Sequence, residues 1–253
     1  MGMVSGKTIL VTGGASGVGQ AAAKLLSAEG AQVIIADLQD EAGAETVKQI
    51  ITAGGRAEYH HVDITNYEQV KVLVKGVATR YGSLDGAFNN AGIEGPSSKI
   101  VRQSMEDWDK VIKVNLTGVF ICMKCEIEQM LEQENGGSIV NTSSIAGLIG
   151  VQGAAIYNAS KHGVMGVTRT AALEYAKKGI RINSLCPGSI DTPMLARLTN
   201  ASEGLADFLD SVVAIGRKAH PSEIAEGALW LLSERSSYVT GIALPIDGGL
   251  TAG

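Results

Sequence analysis

The sequence predicts an α/β protein built on a parallel, doubly wound sheet of seven strands with helices on both faces. Short apolar runs alternate with longer stretches of helical periodicity, which is typical of repeated βα units. A chain of 253 residues has the size of one large domain of this class. With 45% hydrophobic residues, the chain can bury a packed sheet, and its composition is not that of a disordered or fibrous protein.

Each predicted strand is a short apolar run that is followed by a turn. In chain order these are TILVT (8–12), QVIIA (32–36), AEYHHV (57–62), LDGAFN (84–89), SIVNT (138–142), RINSLC (181–186) and IALP (242–245). The intervening helical patterns predict helices at 18–29, 41–53, 67–80, 104–134, 157–177, 202–213 and 222–232. In the first helix Val18, Ala22 and Leu25 recur at helical spacing, so one face of this helix is expected to pack on the sheet.

No feature of the sequence marks a domain boundary. The chain contains no low-complexity tract, charge run, internal repeat or Pro/Gly/Ser-rich linker. Residues 1–253 are therefore predicted to form one domain. The least regular region, 189–219, predicts an insertion that acts as a lid over a binding site.

Charge and hydropathy exclude two classes of partner. Lys and Arg number 21 against 26 Asp and Glu, and no basic stripe is present, so nucleic acid is not an expected partner. No apolar run reaches the ~20 residues that span a bilayer. The N-terminal residues lack the pattern of a signal peptide, so we expect a cytoplasmic protein without membrane association.

Three cysteines, Cys122, Cys125 and Cys186, occur in the chain. The CxxC pair formed by the first two could be a redox pair or half of a zinc site. A tetrahedral zinc site needs further ligands, and the sequence offers no second ligand pair. Buried thiols and no metal are therefore the favoured interpretation.

A glycine-rich turn follows the first strand and leads into the first helix, with glycines at Gly13, Gly17 and Gly19. Glycines let the backbone approach a pyrophosphate, and a helix N-terminus supplies N–H donors for it. Glycine also serves tight turns in general, so the turn alone does not establish a dinucleotide site. Asp37, at the end of the second strand, adds an acidic group ~20 residues beyond the glycine turn, which is the spacing at which a carboxylate would bind the adenosine ribose. Its charge would repel a 2′-phosphate and favour NAD over NADP, although Asp37 could also be a helix N-cap.

Tyr157 and Lys161 share one face of a predicted helix, one turn apart. A free phenol has a pKa near ~10, and a neighbouring ammonium lowers that value. The alternative is a surface cation lying over a packed ring. The helix follows the strand GSIVNTSS, which ends in Ser143 and Ser144, and ligands of open α/β sheets gather at the carboxyl ends of strands.

Seven motifs, in this order, resemble those of the classical short-chain dehydrogenase/reductase family over essentially the whole chain. They are TGGASGVG (12–19), NNAG (89–92), Asn115 in KVNLTG, the serine pair 143–144, YNASK (157–161), PG (187–188) and the final YVTGIALPIDGG. The resemblance implies a Rossmann fold and transfer of a hydride between a nicotinamide and an alcohol or ketone.

The resemblance also implies a role for particular residues. Tyr157 would be the acid/base, and Lys161 would lower its pKa and bind the nicotinamide ribose. Ser144, rather than Ser143, would orient the substrate. Asn115 would hold a water in a proton relay, although it could also be an ordinary polar group of a helix. The implied cofactor-binding residues are Gly13, Ser16, Gly17, Val18, Gly19, Asp37, Leu38, Asp63, Ile64, Asn89, Ala91, Gly92, Tyr157, Lys161, Pro187, Gly188, Ile190 and Thr192.

Some of these residues have other interpretations. Asn89 and Asn90 could be turn residues, and Thr192 could be a cap before Pro193. By the resemblance, Asp63 and Ile64 would flank the adenine, and residues 89–92 would line the adenosine ribose. Ile190 and Thr192 would meet the nicotinamide amide.

The loops at the same end of the sheet are apolar and carry few charges, which favours a hydrophobic or cyclic secondary alcohol or ketone as substrate. The predicted substrate contacts are Ser144, Ile145, Gln152, Tyr157 and Met194. Glu94 and Gln152 could instead anchor a sugar or polyol, or lie in solvated loop positions. A non-catalytic NAD-binding sensor and an isomerase or lyase are further alternatives. By the resemblance we also expect a homotetramer, with Ala171, Ala172 and Tyr175 as contact candidates.

Overall fold

A computed structural model of the protein describes residues 2–133, 135–200 and 211–252, without the side chains of 198–200. Its seven strands form one parallel sheet in the order β3-β2-β1-β4-β5-β6-β7. The strands are β1 Thr8–Thr12, β2 Gln32–Asp37, β3 Arg56–His61, β4 Gly86–Asn89, β5 Gly137–Thr142, β6 Ile180–Pro187 and β7 Ala243–Ile246. The predicted seven-stranded parallel sheet is confirmed.

Helices cover both faces of the sheet. They are α1 Gly17–Ala28, α2 Asp40–Thr52, α3 Tyr67–Tyr81, α4 Met105–Ile112, α5 Val119–Glu132, α6 Ala155–Tyr175, α7 Pro193–Asn200 and α8 Pro221–Leu232. Residues of α1, α2 and α8 belong to one buried cluster, and residues of α3, α5 and α6 belong to the other. Neighbouring residues of β1 divide between the two clusters, with Leu10 on one side and Ile9 and Val11 on the other, because side chains alternate along a strand. Both faces of the sheet are therefore apolar, as a parallel sheet requires.

The strand order reverses between β1 and β4. From β1 the chain proceeds outward through β2 to β3, and it then returns to pair β4 with the other side of β1. A crevice opens at the carboxyl ends of the strands where the order reverses, and ligands of doubly wound sheets bind there.

The predicted helix 104–134 is wrong in one respect. The chain forms α4, then a π-helical segment from Lys113 to Gly118, and then α5. Helix α6 begins at Ala155, so Tyr157 lies in its first turn rather than at its first residue. The predicted helix 202–213 falls mainly on residues 201–210, outside the described residues, and within 189–219 the structure shows α7.

Two further expectations concern side chains. Cys122 and Cys125 are free and buried, and the described part of the chain contains no group of His, Cys, Asp and Glu that could hold a metal ion. Ala171 and Ala172 are not subunit-contact candidates, because both pack against the sheet within the core. Leu173, between them and Tyr175, is 85% exposed instead. Among the described residues no helix is long and apolar enough to cross a membrane.

Candidate active site

The turn between β1 and α1 accepts only glycine at its critical positions. Gly13 and Gly17 have φ angles of +67° and +54°, in the region that residues with a Cβ avoid. A Cβ on Gly19 would lie 2.0 Å from the carbonyl oxygen of Gly13. Ser16 is the N-cap of α1, and its side chain makes no capping hydrogen bond, so it leaves the N–H groups of the first turn to other acceptors. This geometry fits the pyrophosphate of a dinucleotide.

Asp37 ends β2 beside this turn. Its Oδ2 accepts a hydrogen bond from the N–H of Ala15 at 3.0 Å. Its Oδ1 accepts from the N–H groups of Leu38 at 2.7 Å and Gln39 at 3.1 Å. The N-cap of α2 is Gln39, so Asp37 is not the helix N-cap that the sequence left as an alternative. The carboxylate instead joins the second strand end to the glycine turn, in the position expected for binding a ribose.

The end of β3 lies next to Asp37. The N–H of Val62 donates to the carbonyl oxygen of Asp37 at 3.1 Å, and Asp63 and Ile64 follow directly. Ile64 is only 7% exposed, and a Cβ on Gly118 would lie 2.7 Å from its Cδ1. The two residues therefore follow the strand end beside Asp37, and Ile64 packs towards the π-helical segment, while their predicted contact with the adenine stays a prediction.

Asn89 does not present its side chain to the candidate cofactor site. It is 1% exposed, and its Nδ2 donates to Glu126 Oε2 at 2.8 Å and to Asn141 Oδ1 at 3.0 Å, both in the core. Asn90 is not among the individually predicted cofactor-binding residues. Its Nδ2 lies 3.3 Å from the carbonyl oxygens of both Thr12 and Gly13. The second asparagine of the NNAG pair therefore fixes the glycine turn.

Ala91 and Gly92 complete this loop close to the turn and the catalytic group. A Cβ on Gly13 would lie 2.8 Å from the Cα of Ala91. A Cβ on Gly92 would lie 3.2 Å from Asn115 Oδ1 and 3.7 Å from Lys161 Nζ. The loop therefore passes between the glycine turn and Lys161, where there is little room for side chains.

Tyr157, Ser144 and Lys161 meet where β5 ends and α6 begins. Ser144 lies close enough to the Tyr157 hydroxyl to lower the pKa of the phenol. Lys161 Nζ lies 5.6 Å from the centroid of the Tyr157 ring and donates to the carbonyl oxygen of Thr142 at 2.8 Å. Lys161 is 3% exposed, so its ammonium is held inside the protein and is not a surface cation. The structure thus brings three of the four predicted catalytic side chains together.

The two neighbouring serines have different environments. Ser143 is 1% exposed, and its Oγ donates to the carbonyl oxygen of Lys161 at 2.9 Å, which ties α6 to the end of β5. Ser144, one residue later, is the serine whose side chain lowers the pKa of Tyr157. The geometry therefore favours Ser144 as the substrate-orienting serine.

Burial is the largest influence on the pKa values of Tyr157 and Lys161. It raises the pKa of Tyr157 to about 12, although the Ser144 side chain lowers it, and the negative charge of Glu94 raises it further. It also lowers the pKa of Lys161 to about 8, so the lysine remains largely protonated at neutral pH. The sequence predicted that Lys161 lowers the pKa of Tyr157, whereas in the protein alone desolvation of the phenolate is the largest influence and leaves that pKa raised.

Asn115 lies in the π-helical segment, a feature that often marks functional positions. Its side chain is fully buried, with Oδ1 accepting from the N–H of Ile93 at 2.8 Å and Nδ2 donating to the Ile93 carbonyl oxygen at 2.9 Å. It therefore holds the loop that follows β4 against Lys161. Its predicted place in a water relay stays a prediction.

The last predicted cofactor residues follow β6. Pro187 ends that strand, and Gly188 donates its N–H to the carbonyl oxygen of Ile246 at 3.1 Å. Ile190 forms a bridge with residue 219. Thr192 lies over the glycine turn, because a Cβ on Gly17 would be 3.4 Å from its Cγ2. Its hydroxyl also accepts from the N–H of Leu195 at 3.3 Å, so the capping alternative holds as well.

The predicted substrate residues do not all come to the same place. Ile145, directly after Ser144, and Met194, in α7, are partly buried at this end of the sheet. Gln152 is exposed, which corresponds to the solvated loop position that the sequence left open. The structure therefore gives no support to Gln152 as a substrate contact.

Comparisons with known proteins agree with this geometry. A family model described as enoyl-(acyl carrier protein) reductase matches residues 13–251. The chain is 47% identical to a 2,5-dichloro-2,5-cyclohexadiene-1,4-diol dehydrogenase of Sphingobium indicum over 100% of both chains. It is 42% identical to a cyclohexanol dehydrogenase of Acinetobacter sp., over 97% of this chain and 95% of that protein. The chain belongs to the short-chain dehydrogenase/reductase family.

A solved structure supports the same assignment. The crystal structure of carveol dehydrogenase from Mycobacterium avium in complex with NAD matches with a TM-score of 0.95 and 30% identity, and the match covers 100% of both chains. This short-chain dehydrogenase is therefore an alcohol dehydrogenase or ketone reductase that uses a nicotinamide cofactor.

Glu126 is a buried acid in the core that is not part of the catalytic group. Glu126 in α5 is 0% exposed and accepts the hydrogen bond from Asn89. Burial raises the pKa of Glu126 to about 8, against an ordinary value of 4.5. Asn141 continues the chain of bonds by donating to Thr168 Oγ1 at 2.9 Å. At neutral pH this acid is therefore largely protonated.

The raised pKa predicts a stability that falls as the pH rises. Between about 4.5 and 8 the folded state retains a proton that the unfolded state releases, so the free energy of unfolding decreases across this range. Each pH unit over which the states differ by one proton costs ~1.4 kcal/mol. Glu126→Gln should flatten this dependence, measured by urea unfolding from pH 5 to 9. Glu128→Gln, which alters an exposed carboxylate on the same helix, is the control, and an unchanged slope in Glu126→Gln would contradict the assignment.

Proposed function

We propose that the protein is an NAD-dependent dehydrogenase that interconverts hydrophobic or cyclic secondary alcohols and their ketones. The observation that carries this proposal is the grouping of Ser144, Tyr157 and Lys161 where β5 ends and α6 begins, with the buried ammonium of Lys161 5.6 Å from the Tyr157 ring. Two hydroxyl groups and a cation at the carboxyl end of a doubly wound sheet can bind and deprotonate one alcohol oxygen.

The residues around the glycine turn fit a dinucleotide. The α1 N-terminus would hold the pyrophosphate, and Asp37 would accept hydrogen bonds from the adenosine ribose. A 2′-phosphate next to the carboxylate of Asp37 would be repelled, and positions 36–40 offer no Lys or Arg to receive it. These features support NAD rather than NADP. When bound, the nicotinamide accepts or supplies the hydride.

The protein's own groups would handle the proton. In alcohol oxidation the Tyr157 phenolate would take the hydroxyl proton while Ser144 donates a hydrogen bond to the same oxygen. A positive charge stabilises a phenolate, so the ammonium of Lys161, 5.6 Å from the Tyr157 ring, would favour the phenolate during the reaction. Asn115 would act indirectly, by fixing the loop at Ile93 that lies beside this group.

The substrate class rests on the pocket walls and on the relatives. Ile145, Leu148 and Met194 are partly buried, and together they offer apolar contacts for a hydrocarbon ring. Two relatives are named for activity on a chlorinated cyclohexadienediol and on cyclohexanol. A cyclic secondary alcohol therefore fits better than a phosphorylated substrate.

We propose a homotetramer in the cytoplasm. Phe120 on α5 and Leu173 on α6 are 47% and 85% exposed, and large exposed apolar side chains on long helices are suited to burial between subunits. The three free thiols are typical of a reducing compartment.

The test is a panel of alcohols and ketones assayed with NAD(H) and NADP(H) in parallel, following absorbance of the reduced cofactor. The panel holds cyclohexanol, cyclopentanol, acyclic secondary alcohols, hydroxysteroids and sugars. We expect turnover of the cyclic alcohols with NAD. Preference for sugars would support the polyol alternative, and NADH binding without turnover of any member would support the sensor.

A further inference from the structure

A bidentate ion pair links two segments that follow strand ends of the sheet. Arg197 Nε and Nη2 donate to Glu94 Oε1 and Oε2 at 2.6 and 3.1 Å. The pair joins the loop after β4 to α7, although the two residues are 103 positions apart in the chain. The Glu94 side chain is 25% exposed and that of Arg197 is 61% exposed, so the carboxylate is the inner partner.

The loop that carries Glu94 lies directly against the catalytic tyrosine. A Cβ on Gly95 would be 3.7 Å from Tyr157 Cβ and 3.8 Å from the Tyr157 backbone nitrogen. The negative charge of Glu94 also raises the pKa of Tyr157, so the carboxylate is electrostatically coupled to the phenol. Glu94 therefore borders the space in which a substrate oxygen would meet Tyr157.

The carboxylate of Glu94 is held in one orientation and can accept further hydrogen bonds. A carboxylate has about four lone-pair positions, and the two bonds from Arg197 occupy two of them. The Arg197 hydrogen bonds, together with the charge of Lys110, hold the pKa of Glu94 below its usual range, so the group is ionised and cannot donate. The planar guanidinium fixes the orientation of the carboxylate. A hydroxyl group on a bound ring can therefore donate to one of the remaining positions.

We propose that Glu94, held by Arg197, is a specificity-determining residue that accepts a hydrogen bond from a second hydroxyl group of the substrate. This inference rests on the proposed function and deepens it. The enzyme would prefer uncharged cyclic diols over the matching cyclic mono-alcohols. Ring carboxylates would be poor substrates, because two carboxylates would face each other.

The test compares kcat/KM for cyclohexanol, the isomeric cyclohexanediols and 4-hydroxycyclohexanecarboxylate, with NAD, in wild type, Glu94→Ala and Arg197→Met. Hydrogen bonds to charged groups correspond to a preference of roughly 10- to 100-fold. We expect the wild type to favour at least one diol by that factor. In Glu94→Ala the ratio of diol to mono-alcohol should fall to near one, through a higher KM for the diol. Arg197→Met should lower the ratio less, because the acceptor remains but is no longer fixed.

The matched control is Glu223→Gln. Glu223 forms a similar bidentate pair with Arg217 at the start of α8, at 2.7 and 2.8 Å, and its loss should leave the ratio unchanged. Fluorescence titration with NADH checks that every variant still binds cofactor.

Three outcomes would overturn the proposal. Equal losses for diol and mono-alcohol in Glu94→Ala would mean that the ion pair only supports the fold. A wild-type enzyme that shows no preference for any diol in kcat/KM would mean that Glu94 does not determine specificity. Fast turnover of the carboxylate that disappears in Arg197→Met would assign the recognition to Arg197 instead. Failure of the proposed function is a different result, in which the wild type turns over no cyclic alcohol at all.

Discussion

Replacing Tyr157 by phenylalanine is expected to lower kcat by about 10²- to 10⁴-fold, the usual contribution of an acid/base group. The change removes the hydroxyl beside Ser144 and retains the ring that lies 5.6 Å from Lys161 Nζ. Packing should therefore be preserved while the proton acceptor is lost. Initial rates with the best cyclic alcohol from the panel, measured in both directions, give the effect.

Two controls accompany this measurement. NADH binding, followed by fluorescence, should stay within a few-fold of wild type, because phenylalanine retains the ring at this position. Tyr175→Phe removes a hydroxyl from the other end of the same helix and should leave kcat unchanged. Wild-type turnover in Tyr157→Phe would assign the proton transfer to another group.

Replacing Asp37 by asparagine is expected to shift the ratio of kcat/KM values for NAD and NADP by at least ~10²-fold towards NADP. Placing like charges against each other costs several kcal/mol, and ~1.4 kcal/mol corresponds to tenfold. Asparagine keeps one of the two oxygens that accept from the N–H groups of Ala15 and Leu38, so the turn should survive with weaker support. Initial rates with each cofactor at saturating alcohol provide the ratio.

Asp40→Asn is the matched control for this change. Asp40 is the first residue of α2 and bonds to Tyr59 and His61, so its loss removes a nearby negative charge that does not face the glycine turn. If Asp40→Asn shifted the cofactor preference as much as Asp37→Asn, a general field effect would explain the selectivity. If neither did, the carboxylate of Asp37 would have no part in it.

Local sequence patterns predicted the positions of the residues that surround the candidate site. The glycine turn, the strand ends at Asp37 and Ser144, and the one-turn spacing of Tyr157 and Lys161 all lie within single βα units. A parallel sheet places the ends of such units at one edge, so a correct strand assignment already brings these side chains together. The choice of Ser144 over Ser143 came from the family pattern, and the structure explains it by the different neighbours of the two hydroxyls.

Other features depended on contacts between distant segments. Asn89 and Asn90 are adjacent and chemically identical, but one points into the core at Glu126 and the other supports the glycine turn. The π-helical turn at Asn115 has no strong local signal, since it is fixed by the bonds of the side chain to Ile93. Gln152 resembles a polar anchor in sequence, yet it lies on the surface.

The sequence by itself determined the fold class and the position of the glycine turn, because these depend on periodicity and on spacing within one element, and the family resemblance supplied the predicted roles of Tyr157, Lys161 and Ser144. Only the tertiary structure decided how those groups ionise and which polar residues are buried, exposed or paired. Burial raises the pKa of Tyr157 and Glu126 and lowers that of Lys161, and burial is a property of the whole packed chain. The pair formed by Glu94 and Arg197 likewise exists only because folding brings α7 across the loop that follows β4.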